Sequence, residues 1–272
     1  MEVSQMSRKI KSYEQMLKEG YGQKRGEEYK PWGTFRFASK GQTGRPSRGL
    51  HFNREYLFFS RIEQRAFHLF DFQDDILEIR EQFPILPREQ SFLIANELDI
   101  WHPQNKETGE IYVRTIDMIV DYNNGNTVAY QVKKKEDINA RTEEKFQIER
   151  AYFKRFGVEH LIITEEQVDE IKADNIEDLK QNWNLHEYQI FSTMEEEEML
   201  HFIAELYMRV IDNKSKLCDI TNQFDLDLNF PCGTGLTIFR HLVIRKVLEI
   251  DLSTSLFSAD KVVKILSAKD LK

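Results

Sequence analysis

The chain has 272 residues, with 38 Lys and Arg against 46 Asp and Glu, a formal net charge of −8 and 40% apolar residues. That length holds one large domain or two modest ones, and 19 Phe argue against a chain disordered over most of its length. No run approaches about 18 uninterrupted apolar residues, which excludes a membrane-spanning helix and predicts no membrane partner.

The charge is unevenly spread. Residues 1–165 carry 26 basic and 26 acidic residues, whereas 166–272 carry 12 and 20 and so hold the whole excess. Within 1–65 the count is 14 basic to 7 acidic, a local surplus able to track phosphates. Met1 to Lys11 is polar and lacks the apolar core of a signal peptide. The two cysteines, Cys218 and Cys232, form no CxxC and have no His at ligand spacing, so neither zinc nor a disulfide framework is expected. Few cysteines and no export signal point to the cytoplasm.

In chain order, 12–19 predicts a helix ended by Gly20, and 21–54, rich in Gly, Arg and Lys, an irregular arm with short strands. Residues 55–70 read as a helix, 76–82 as a strand closed by Phe83-Pro84, and 89–99 as a short helix. Two strands, 112–121 and 127–134, flank the turn Asn123-Asn124-Gly125-Asn126. A charged amphipathic helix over 141–156 stops at Gly157, and 158–163 is a buried strand. Strands flanked by helices make 1–165 a mixed α/β domain. The junction is expected after Ile162–Thr164, followed by a mainly helical domain over 166–272. There Glu195–Glu198 opens a helix reaching about Ile211, where acids suit an N-terminus. Residues 234–252 read as a helix followed by a wing, with a strand-like piece near 247–252.

Two features stand out. At helical periodicity Tyr56, Phe59, Ala66, Phe67 and Phe70 share an arc, with Arg61, Gln64, Arg65 and His68 opposite, and Glu63 lies in the middle of the apolar arc. An inward carboxylate is costly unless a cation or metal meets it; a core Arg would serve as well as a metal. In the hairpin, Ile116, Met118 and Val120 share one face, and Asp117 shares the other with Ile119 and Asp121. A two-residue Asn124-Gly125 turn sets Asp117 against Val132 and mismatches the faces, so an odd loop or bulge is expected. A loop at 124–126 sets Asp117 against Lys133. The plain alternative is a cross-strand Asp–Lys pair. Lys134 points away from Lys133 and reads as a solvated strand end. The seven His residues do not cluster, and Gly41, Gly44 and Gly49 form no phosphate-cradling loop.

Asp117 followed after thirteen residues by Gln131-Val132-Lys133 resembles the PD-(D/E)xK nuclease motif, with Gln in place of the second acid and Ile116 in place of the Pro. The run Ile79-Arg80-Glu81-Gln82-Phe83-Pro84, Glu63 on its helix, Tyr29-Lys30-Pro31-Trp32, and the helix carrying Glu143-Glu144-Lys145 and Glu149-Arg150 extend the likeness. Together they resemble the TnsA family, endonuclease subunits of heteromeric Tn-seven-like transposases.

That resemblance implies a restriction-endonuclease-like mixed sheet flanked by helices in 1–165, and a winged-helix-like domain in 166–272 for partner binding. It implies Glu63, Asp117, Gln131 and Lys133 as catalytic residues. It further implies two Mg²⁺ ions, replaceable by Mn²⁺, held by Glu63 and Asp117 with Gln131 and the Val132 carbonyl assisting. The expected activity is hydrolysis at the 5′ ends of transposon DNA. A DDE subunit, TnsB, would cut and join the 3′ ends, and an AAA+ ATPase, TnsC, would contact the C-terminal domain. The alternatives are a stand-alone restriction or junction-resolving nuclease, and a non-catalytic adaptor between DNA and an ATPase.

Overall fold

The structure is a computed structural model, and it describes residues 11–33, 45–211, 213–255 and 257–269. The middle of the predicted arm, with Gly41 and Gly44, lies outside the described residues. The chain forms two compact units, Met1–Val168 and Asp169–Lys272.

The first unit opens with α1 (Tyr13–Lys18), started by Ser12 and Gln15 in a reciprocal capping box. The strands β1 (Arg45–Arg48) and β2 (Glu55–Phe58) then pair antiparallel. The segment expected as one helix over 55–70 is therefore two elements. Glu55–Phe58 is strand, and the helix α2 spans Arg61–Asp71, because Ser60 in an extended conformation caps it by accepting from the Glu63 N–H.

Four strands form the central sheet, in the order β3 (Ile76–Pro84), β4 (Thr115–Tyr122), β5 (Thr127–Val132) and β6 (Glu159–Ile163). The first three pair antiparallel and β6 joins β5 in parallel, so the sheet is mixed. Between them lie α3 (Arg88–Glu97) and α4 (Ala140–Lys154), the latter capped by Asn139. Beyond α4, Gly157 takes φ +67, which frees the chain to turn into β6. β6 is less covered than expected: only His160 of its five residues is buried.

The sheet has a core on each face. Tyr56, Phe58, Ala66 and Phe67 pack with Ile79, Met118, Val120 and Val132. Ile94, Ile148, Tyr152 and Phe153 pack with Ile85, Ile116, Ile119 and Ala129. Ile116 thus leaves the face of Met118 and Val120 on which alternation puts it. On β3 the same exchange occurs: Ile79 belongs to the first core, whereas Phe83, four residues on, packs against the second. The helix α2 is also more enclosed than an amphipathic reading allows. Gln64 and His68, expected outside, are 2% exposed, and the Gln64 amide donates to Ser47 Oγ on β1.

The second unit contains α5 (Glu170–Leu179), α6 (Glu196–Val210), α7 (Leu217–Asp227) and α8 (Thr234–Ile244), followed by β7 (Leu248–Ile250). β7 pairs antiparallel with β8 (Ile265–Ala268), which completes a helical domain bearing a two-stranded wing. Buried Asp225 accepts from the N–H groups of Gly233 and Gly235, fixing the start of α8. The two cysteines are free. No helix among the described residues is long and apolar enough to cross a membrane.

Candidate nuclease site

Glu63 occupies the third position of α2, 7% exposed. The placement has a local cause. Ser60 Oγ accepts from Glu63 N–H while Glu63 Oε1 accepts from the Ser60 hydroxyl at 2.7 Å, and Oε2 accepts from Phe59 N–H at 3.1 Å. An acid is welcome at a helix N-terminus, and these bonds come from neutral groups. Burial pushes the Glu63 carboxyl up, opposed by those bonds and by the charge of Lys133.

Asp117 lies on β4, 9% exposed. Val132 N–H donates to its Oδ2 at 2.8 Å, and the Gln82 side-chain amide lies 3.4 Å from its Oδ1. Burial, and next the neighbouring Glu63 carboxylate, hold the Asp117 carboxyl well above the ordinary range. The two acids come from different elements, and in their buried setting each makes the other harder to ionise.

The hairpin register decides what else reaches them. Asp121 pairs with Thr127, Met118 with Tyr130, and Tyr122 N–H donates to Asn126 O at 2.8 Å. The connection is a three-residue loop, 123–125, with Gly125 at φ +86, the left-handed position such loops require. The loop is odd, as expected, but starts one residue earlier. One step beyond Met118–Tyr130, Asp117 therefore stands beside Gln131 and not Lys133. The parity of the register is as expected, but alternation breaks at Asp117, because Ile116 and Met118 belong to opposite cores.

Gln131 Oε1 is buried with no hydrogen-bond partner. Lys133 leaves the end of β5 half-exposed, its N–H bonded to Ile163 O and its Nζ 4.0 Å from Asp137. Lys134 is exposed beside Glu136. Lys145 on α4 brings a further cation near Lys133; burial and the neighbouring Arg114 and Arg141 push its ammonium down.

Among the described residues no group of three His, Cys, Asp or Glu side chains could hold a metal. The two carboxylates are hard oxygen donors of the kind Mg²⁺ prefers, and Gln131 Oε1 on β5 is a further buried oxygen without a partner.

Part of the basic surplus in 1–65 is taken up internally. Arg25 pairs with Glu78 and Asp121, and Arg54 with Glu81. Those acids all lie beyond residue 65, so a local count could not see them. Glu149 and Gln82, noted in the sequence only for their likeness to the family, are buried here, and Glu149 is bound to Arg114 and lies 3.2 Å from His160. Nothing in the pattern of residues marks a non-glycine with positive φ.

A central mixed sheet flanked by helices is consistent with an endonuclease fold. Residues 73–165 match the family model described as TnsA-like endonuclease N terminal, and residues 167–252 the model described as TnsA endonuclease C terminal. The Escherichia coli transposon Tn7 transposition protein TnsA is 27% identical over 252 residues, which cover 90% of this chain and 87% of that protein. The chain belongs to the TnsA family and is an endonuclease subunit of a transposition system. The N-terminal match begins ten residues after Glu63, so the place of Glu63 rests on its geometry.

Proposed function

We propose that this protein is a metal-dependent nuclease that hydrolyses the phosphodiester at the 5′ ends of a Tn-seven-like transposon. A DDE partner, TnsB, would cut and join the 3′ ends, and the ATPase TnsC would govern both. The observation that supports the reading is that buried Glu63 and buried Asp117 act on one another's charge, with Lys133 acting on Glu63.

Glu63 and Asp117 would hold two Mg²⁺ ions, with Gln131 Oε1 and the Val132 carbonyl as neutral donors. When bound, Mg²⁺ supplies Lewis-acid polarisation of the phosphate and stabilisation of the leaving 3′ oxygen. Asp117 is held by the Val132 N–H, so its remaining lone pairs keep a fixed direction. Lys133 adds a positive charge facing Glu63, able to meet the non-bridging phosphate oxygens as charge grows on them. The adaptor alternative needs Glu63 neutralised by an arginine. Its bonds to Ser60 and Phe59 favour the nuclease.

The test is the product of transposition with both partners present. Asp117→Ala leaves the 5′ strands uncut while the partner still joins the 3′ ends, so replication converts simple insertions into fused donor–target molecules. A loss of several orders of magnitude in 5′ cleavage is expected when a unit of this kind is broken. An unchanged ratio of fused to simple insertions refutes the reading. Cleavage of plain DNA by the protein alone would favour a stand-alone nuclease.

A further inference from the structure

We propose that Gln82 is a positioning residue of this site, its side-chain amide orienting Asp117 while Trp32 and Gly33 hold Gln82 in place. The proposal rests on the reading of Asp117 as a metal ligand.

The register between β3 and β4 pairs Glu81 with Met118 and Phe83 with Ile116, which leaves Gln82 facing Asp117. At that step Gln82 takes φ +46, a left-handed conformation that a residue with a long side chain rarely adopts inside a strand. Its carbonyl leaves the ladder and accepts from Trp32 N–H at 3.1 Å. Its side chain is buried, with Nε2 3.4 Å from Asp117 Oδ1 and Oε1 3.4 Å from the Thr115 hydroxyl.

The arm presses on the same group. A Cβ added at Gly33 would lie 3.0 Å from Gln82 Oε1 and 2.9 Å from the Phe59 ring. A larger residue there would have to push the Phe59 ring or the Gln82 side chain aside.

The strain coincides with the exchange of faces on both strands: Ile79 and Met118 belong to the core beneath α2, Phe83 and Ile116 to the opposite one. Regular alternation puts Asp117 on the face of Ile119, away from α2. The irregularity falls at the pair Gln82–Asp117, where the carboxylate comes within reach of Glu63. Strained backbone of this kind persists where surrounding structure over-determines it, and it gathers at functional sites. Residues that orient a metal ligand through a hydrogen bond commonly change metal affinity tenfold to a hundredfold.

The experiment compares full-length wild type, Gln82→Gly, Gln82→Leu and Asp117→Ala by Mn²⁺ affinity (water-proton relaxation) and by thermal unfolding without metal. Glycine adopts φ +46 without strain, which offsets part of the cost of removing the buried side chain, so Gln82→Gly should unfold within a few degrees of wild type. If Gln82 positions Asp117, Gln82→Gly binds Mn²⁺ roughly tenfold or more weakly. Gln82→Leu, which keeps the bulk and loses the amide, should weaken it similarly. Wild-type affinity in Gln82→Gly, with binding abolished in Asp117→Ala, overturns the proposal and leaves the metal site standing. A loss of affinity found only with a matching loss of thermal stability assigns Gln82 a structural role and also overturns it. Equal Mn²⁺ binding by wild type and Asp117→Ala refutes the metal reading itself, and the proposal with it.

Discussion

The backbone N–H of Val132 donates to Asp117 Oδ2 across 2.8 Å, so the last residue of β5 fixes a carboxylate on β4. Glu63 is fixed differently, by the first turn of its own helix. The two acids are thus held by separate devices, and each raises the other's cost of ionisation. Bringing like charges together costs stability unless a cation follows.

Removing one of them should therefore stabilise the metal-free protein. Asp117→Ala relieves the repulsion and the burial of a charge, at the loss of one hydrogen bond from Val132. The expected gain is on the order of 1 kcal/mol, or about 2–4 °C in melting temperature. Calorimetry with a chelator present checks the sign. A lower melting temperature would show that Asp117 serves the fold.

The pH dependence follows from the same shifts. Both carboxyls are raised in the folded state, so their protonated forms are favoured there. Their contribution is fully present below the ordinary carboxylate range and is lost as pH rises through the raised values. The metal-free protein should melt lower as pH rises through that window, and Asp117→Ala should flatten the trend. Mn²⁺ binding must displace those protons, so affinity should fall as pH drops through the same window.

Arg54 and Glu81 form a buried bidentate pair, with contacts of 2.9 and 2.8 Å, and Arg54 also stacks 3.5 Å above the Tyr56 ring. Arg54→Met strands a carboxylate that is 0% exposed and should cost about 3–5 kcal/mol in urea unfolding. Arg54→Met with Glu81→Leu should recover most of that loss, because no uncompensated charge is left. If the double variant is as unstable as the single, packing of Arg54 on Tyr56 is the dominant contribution.

Much of this was legible in the sequence. Glu63 announced itself as an acid on an apolar arc, and strand alternation put Asp117 on the hairpin beside the end of β5. The three-residue loop followed from parity, but its start did not, because Asn124-Gly125 and its neighbours permit several turns. The split of 55–70 into strand and helix was hidden because Tyr56 and Phe59 fit either period. The exchange of faces at Gln82 could not be read, since it depends on a backbone angle that no residue type there encodes.

Isolated binding to DNA should be weak, with a shallow dependence on salt. Arg25 and Arg54, two of the cations behind the surplus in 1–65, already pair with acids of the same unit. Each phosphate neutralised steepens the salt slope by about one. A fluorescence titration of the protein alone on end DNA between low and physiological salt measures it. A slope of roughly six or more, with sequence preference, would show a phosphate-tracking surface that the internal pairs do not provide.

The second unit should carry the contact with the ATPase. Residues 166–272 hold the whole negative excess, which disfavours a phosphate backbone and suits a protein partner. Its surface also offers apolar side chains: Met208 on α6 is 70% exposed and Leu226 on α7 is 75% exposed. The two helices are tied beside them by Arg209, which reaches Asp227 at 2.6 Å. Apolar anchors of this kind, on a rigid helix pair, are where a few residues dominate an interface. Met208→Asp with Leu226→Asp replaces both by charges that add to the negative field without disturbing a core. Each loss of about 1.4 kcal/mol is tenfold in affinity, so binding of the ATPase should weaken by at least that factor. Mn²⁺ affinity and melting temperature should stay at wild-type values, since neither residue is buried. Unchanged ATPase binding by this variant would move the contact to another part of the unit. Full ATPase binding by a fragment ending at residue 168 would remove the assignment altogether.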